Sequence, residues 1–85
     1  PLANKIAGFT KHGINQAITR GISPSKMLDA VNKPLRNPLT VSDPQGRIST
    51  QFIGKDATVY LNAAGEVITV HGTHSNLVNR LLGIK

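Results

Sequence analysis

The residues best equipped for chemistry are two histidines and the hydroxyls near one of them. In Gly65-Glu66-Val67-Ile68-Thr69-Val70-His71-Gly72-Thr73, the two-residue period of a β-strand places Thr69, His71 and Thr73 on one face. Ile68 and Val70 fall on the other. A buried strand seldom gives a whole face to hydroxyls and an imidazole, so this face suits a polar, anionic ligand. His12, at the start of a helical pattern, supplies a second imidazole. Histidine's ordinary pKa lies near neutrality, which fits it to both general-base and general-acid work. Metal-free RNA cleavage needs that combination: a base for the 2′-hydroxyl proton, an acid for the leaving 5′-oxygen, and donors or cations for the charge on phosphorus. His12, His71 and Thr69 are therefore the candidate catalytic residues. Arg20, Lys55, Thr73 and Lys11 are candidates for holding the phosphate.

Each candidate also has a plainer reading. His12 can serve only as an exposed helix start, and His71 as an ordinary solvent-facing strand residue. Thr69 and Thr73 can reflect β-propensity alone, and Arg20 and Lys55 can be solvated surface charges. His74, beyond the strand, reads as surface. Phe52 and Tyr60 each sit in an apolar run and read as core rather than as base-stacking platforms. The acids Asp29, Asp43, Asp56 and Glu66 are scattered without motif spacing, which speaks against a carboxylate-held Mg²⁺. His71 and His74 have no evident third ligand. The expectation is no metal and no cofactor. No Walker motif, dinucleotide glycine signature or Gly-x-Ser-x-Gly elbow occurs.

Composition narrows the ligand further. Ten Lys and Arg against four Asp and Glu give a formal charge of +6 on 85 residues, so a positive potential covers much of one small body. That favours nucleic acid, anionic lipid or an acidic protein as partner. Cysteine is absent, so neither disulfides nor thiolate metal sites hold the chain together. No apolar run approaches the roughly 20 residues that span a bilayer, and no signal peptide is visible. Membrane insertion by this segment is not expected. The chain opens on Pro1 rather than Met, which reads as one domain, residues 1–85, excised from a longer protein.

Several elements must position these groups. Residues 1–9 form a weak apolar lead-in. From Thr10 to Arg20 the pattern is helical, with Thr10 as N-cap and Gly21 as stop; Ile14, Ala17 and Ile18 share an expected buried face. His12, Gln16 and Arg20, spaced by four, form a line along this helix. Ser23-Pro24 starts a second helix, with Met27, Leu28 and Val31 as its apolar stripe, ending near Lys33 ahead of Pro34. A proline-rich passage follows, with Asp43-Pro44-Gln45-Gly46 as a turn. Arg47 to Ile53, Ala57 to Leu61 and Glu66 to Gly72 then read as strands joined by hairpins. Asn76 to Leu82 is Leu-rich and suits a terminal helical turn or two. Helices followed by an antiparallel meander argue for an α+β fold, with the N-terminal helices packed on one face of a small twisted sheet.

The run His12-Gly13-Ile14-Asn15-Gln16-Ala17-Ile18-Thr19-Arg20 and the Ser23-to-Val31 helix resemble the start of the C-terminal nuclease domains of contact-dependent growth inhibition and related polymorphic toxins of bacteria. Phe52 to Asn62 and Gly65 to His71 extend the resemblance, which covers about residues 10 to 73. It implies a fold like that of the barnase, EndoU, colicin and RelE group, and a metal-independent endoribonuclease that cuts tRNA. It further implies delivery from the surface of the producing bacterium into a target cell's cytoplasm, and neutralisation by an immunity protein. The cationic surface predicts that this partner is acidic. A dependence on translation elongation factor Tu, known among relatives that cut tRNA, is also open. His12, Thr69 and His71 are the positions that carry over. Two other readings remain open: a non-catalytic basic RNA-binding domain, in which the histidines are incidental, and a basic protein-interaction module.

Overall fold

The computed structural model describes residues 6–42, 44 and 46–83. Asp43 and Gln45 of the expected turn, and residues 1–5 of the lead-in, lie outside them. The order of elements is β1 (Gly8–Phe9), α1 (Lys11–Thr19), α2 (Pro24–Asn32), β2 (Leu39–Ser42), β3 (Ile48–Ile53), β4 (Ala57–Leu61), β5 (Glu66–Gly72) and α3 (Ser75–Leu82). The architecture is α+β, as the order of patterns implied. The five strands form one sheet in the order β1-β5-β4-β3-β2. Strands β2 to β5 are antiparallel, whereas β1 joins β5 in parallel, so the expected all-antiparallel sheet is in fact mixed.

Both N-terminal helices begin where their caps dictate. The Thr10 hydroxyl accepts from Gly13 N–H and the Ser23 hydroxyl from Lys26 N–H, with Pro24 in the first turn of α2. Their inner faces meet one side of the sheet. Ala17, Met27, Ala30 and Val31 pack with Phe52, Val59, Leu61, Val67 and Val70 in a single apolar cluster.

Two glycines set how closely the helices approach. A Cβ at Gly13 would overlap the main-chain carbonyl of Val67, and one at Gly54 would come within 2.7 Å of Ala30. This contact corrects the expected face of α1. Its buried side is Gly13 and Ala17, while Ile14 is 45% and Ile18 74% exposed. The backbone-to-backbone approach at Gly13 outweighs the burial of two isoleucines and rotates them outward. In α2 the same effect turns Leu28 out, and Ala30 takes its place in the core.

Strand β2 is a further departure. Its prolines and scattered apolar residues read as loop, yet Leu39 to Ser42 pair with Gln51 to Ile48 as an edge strand. Pro38 lies just before it and Pro44 just after, so neither removes a donor from the ladder. The terminal helix α3, Ser75–Leu82, makes about two turns, as the Leu-rich segment implied. It is capped by His74, whose Nδ1 accepts from Asn76 N–H, and none of its residues is fully buried.

Candidate active site

The sheet face opposite α1 and α2 carries the polar groups. Register follows from the pairs Gln51↔Tyr60 between β3 and β4, and Tyr60↔Thr69 and Thr58↔His71 between β4 and β5. Gln51, Tyr60 and Thr69 therefore form one row across three strands. His71 stands two residues along from Thr69, about 6.6 Å at the usual strand rise.

The expected alternation holds for Thr69 and His71 and fails at Ile68. Tyr60 faces Thr69 while Leu61 faces Val67, so β5 carries one extra residue there, a β-bulge. Val67 and Val70 point into the core, and Ile68 joins Thr69 along the open side instead of Val70 along the buried one.

Over this face lies an open cleft of about 1300 Å³. His12 and Thr10 at the start of α1 form one rim, and the β4–β5 turn with Asn62 forms a second. Arg47 and Ser49 belong to the β2–β3 side, and Tyr60 and Thr69 lie along the sheet. No acidic side chain lines it among the described residues. A separate groove of about 410 Å³, edged by Phe9, Ile14, Ile18 and Met27, is apolar and lacks a titratable group.

His12 reaches the cleft because α1 is tied to β5 at its first turn. The Thr10 amide and hydroxyl both donate to Val67 O, at 3.0 and 3.2 Å, while the same hydroxyl accepts from Gly13 N–H at 3.0 Å. One threonine thus caps the helix and pins it to the strand just before the bulge. The β4–β5 turn is held as firmly. Asn62 Oδ1 accepts from the amides of Ala64 and Glu66, and Asn62 Nδ2 donates to Glu66 Oε1.

The structure brings His12 and Thr69 to one cleft, with Lys11 exposed beside His12 in the first turn of α1. His71 is not part of its lining and joins it through Tyr60, whose ring centroid is 5.8 Å from the imidazole at a 46° tilt. The His71 Nδ1 lies 3.0 Å from Gly72 O. A carbonyl only accepts, so in this contact the Nδ1 of His71 is the donor.

The other three candidates gather at the far end of β5. Arg20 Nη1 donates to Val70 O at 3.0 Å, Thr73 Oγ1 is 2.9 Å from the buried Thr58 hydroxyl, and Lys55 is exposed in the β3–β4 turn. Arg20 there fastens the end of α1 to the strand edge. None of the three lines the cleft. Among the described residues, no three His, Cys, Asp or Glu side chains converge as metal ligands.

Tyr60 is a cleft residue that sequence reading missed, and Gln51 and Arg36 are hydrogen-bonded in series behind it. Tyr60 was expected in the core, but its ring is only half-buried and lies on the open face. Its phenol oxygen accepts from Gln51 Nε2 at 2.8 Å, and Gln51 Oε1 accepts from Arg36 Nη2 at 2.9 Å. The signal was present in β4: Ala57, Val59 and Leu61 alternate with Thr58 and Tyr60, which marks the tyrosine as outward. Phe52, by contrast, is core as expected.

No family model and no solved structure matches the chain. It is 41% identical over 75 residues to part of a protein of Bacillus subtilis (strain 168) named tRNA nuclease WapA. That match covers 84% of this chain and about 3% of the length of the WapA protein, so the chain is similar to one small segment of a much longer polypeptide.

Proposed function

We propose that this chain is a ribonuclease domain that cleaves tRNA without a metal ion. The observation that carries the reading is the 41% identity, over most of the chain, to a segment of a protein named tRNA nuclease. The cleft supplies matching chemistry: His12, Arg47 and Thr69 in its lining, no acid among the described residues that line it, and His71 against Tyr60. A 2′-oxygen attacks the adjacent phosphorus while one histidine takes its proton. The bond from phosphorus to the 5′-oxygen breaks, and the other histidine protonates that oxygen. The products are a 2′,3′-cyclic phosphate and a 5′-hydroxyl end.

The wider biology follows from the resemblance of residues 10 to 73 to polymorphic toxin tips. The domain is carried by a longer exported protein and delivered into the cytoplasm of a competing bacterium. An acidic immunity protein neutralises it in the producer, and elongation factor Tu is a candidate protein partner of cleavage in the target. The barnase, EndoU, colicin and RelE group is the proposed fold family, to which helices against a mainly antiparallel sheet conform.

The test is incubation of the protein with total bacterial tRNA in EDTA, with and without elongation factor Tu, followed by sequencing of the RNA ends. The expected result is a discrete cut bearing a cyclic phosphate, undiminished by EDTA. Binding without any cut product would replace this reading with that of a non-catalytic RNA-binding domain. Loss of cleavage in EDTA would replace the metal-free mechanism.

A further inference from the structure

The Arg36–Gln51–Tyr60 chain has only one consistent direction. A guanidinium can only donate, so the Gln51 atom 2.9 Å from Arg36 Nη2 is the amide oxygen. The Gln51 nitrogen must then face Tyr60, where it donates to the phenol oxygen at 2.8 Å. With that lone pair occupied, the phenol's own proton has no partner on the glutamine side and is left for an acceptor elsewhere. Tyr60 lines the cleft, stands directly across from Thr69 and lies against His71. It is where the His12 and His71 halves of the open face meet, and among the described residues no acid lines the cleft around it.

We propose that the Tyr60 hydroxyl donates a hydrogen bond to a non-bridging phosphate oxygen of bound RNA, and that Gln51, fixed by Arg36, orients it. This rests on the ribonuclease reading for the role in cleavage, though not for the contact itself. A donor aimed at an oxygen that gains charge in the transition state typically contributes about 100- to 1,000-fold in rate. Tyr60 is thus a catalytic residue, and Gln51 and Arg36 are positioning residues.

The sequence supplies its own probe, because Tyr60 is the sole tyrosine and there is no tryptophan. All intrinsic emission in the tyrosine band therefore reports on this site. Wild-type protein is titrated with a fully 2′-O-methylated RNA oligonucleotide, which lacks the attacking hydroxyl, while tyrosine emission is followed. Single-turnover cleavage of total tRNA is measured for wild type, Tyr60→Phe, Gln51→Ala and the double variant, and each variant's thermal melt checks its fold.

The expected result is a saturable change in emission, and cleavage about 100- to 1,000-fold slower for Tyr60→Phe at unchanged RNA affinity. Gln51→Ala is expected to slow the wild type but not the Tyr60→Phe background, because it acts through the phenol. Emission indifferent to RNA, or Tyr60→Phe cleaving at the wild-type rate, overturns the proposal. A saturable emission change in a wild-type protein that cuts no tRNA sustains the contact and removes the ribonuclease reading, so the two failures are distinct.

Discussion

At the scale of single residues, His12 and His71 differ in how they are held. His12 is placed by a helix start and is exposed in the cleft rim. The His71 ring is turned by its bond to Gly72 O and its contact with Tyr60. We expect His12→Ala and His71→Ala each to slow tRNA cleavage by about 100- to 10,000-fold, the usual worth of a general acid or base, with melting temperatures near that of the wild type. Cleavage at the wild-type rate by both variants would remove the two-histidine scheme. His71 was legible because strand alternation exposes a polar face in any sequence. Tyr60 was legible only from the alternation of β4, in which Ala57, Val59 and Leu61 take the core side, and the apolar character of the run hid it. Arg36 had no local signal at all, since its role depends on a loop held to β3 by the bond from Leu35 N–H to Ile53 O.

At the scale of elements, the seating of α1 on β5 decides whether His12 reaches the cleft. Gly13→Ala forces a methyl group into the Val67 carbonyl and is expected to destabilise by about 1–3 kcal/mol, despite alanine's better helix propensity. Ile18→Ser, on the exposed side of the same helix, is expected within about 0.5 kcal/mol of wild type. Urea unfolding of the two variants checks the pair; the reverse order would mean that the isoleucines form the buried face after all. Thr10→Ala removes both a cap and a tie to Val67, so a loss of about 0.5–2 kcal/mol is expected. The spans of α1, α2 and β3 to β5 were legible to within a residue or two because Thr10, Ser23-Pro24 and the hairpin turns are local signals. The buried face of α1 was not legible, since a glycine contributes nothing to an apolar pattern yet permits the closest approach.

At the scale of the whole molecule, the +6 charge acts through its field rather than through any one contact. If binding neutralises about four phosphates, RNA affinity falls roughly 50- to 150-fold between about 50 and 200 mM salt, measurable by filter binding. Association with an acidic inhibitor should slow over the same range. The fold class was legible from the order of elements, whereas the parallel β1 was not. A two-residue strand carries no period of its own and exists only because β5 offers it an edge. The extra residue in β5 also has an arithmetic consequence. Counted by twos from Val67, Thr69 and His71 would both point into the core, and only the odd step at Ile68 sends them outward. The two halves of the strand therefore keep separate parities. A one-residue deletion at Ile68 would close the bulge and leave Val67, Thr69, Val70 and His71 in plain alternation, with Val70 still in the core and His71 still on the open side.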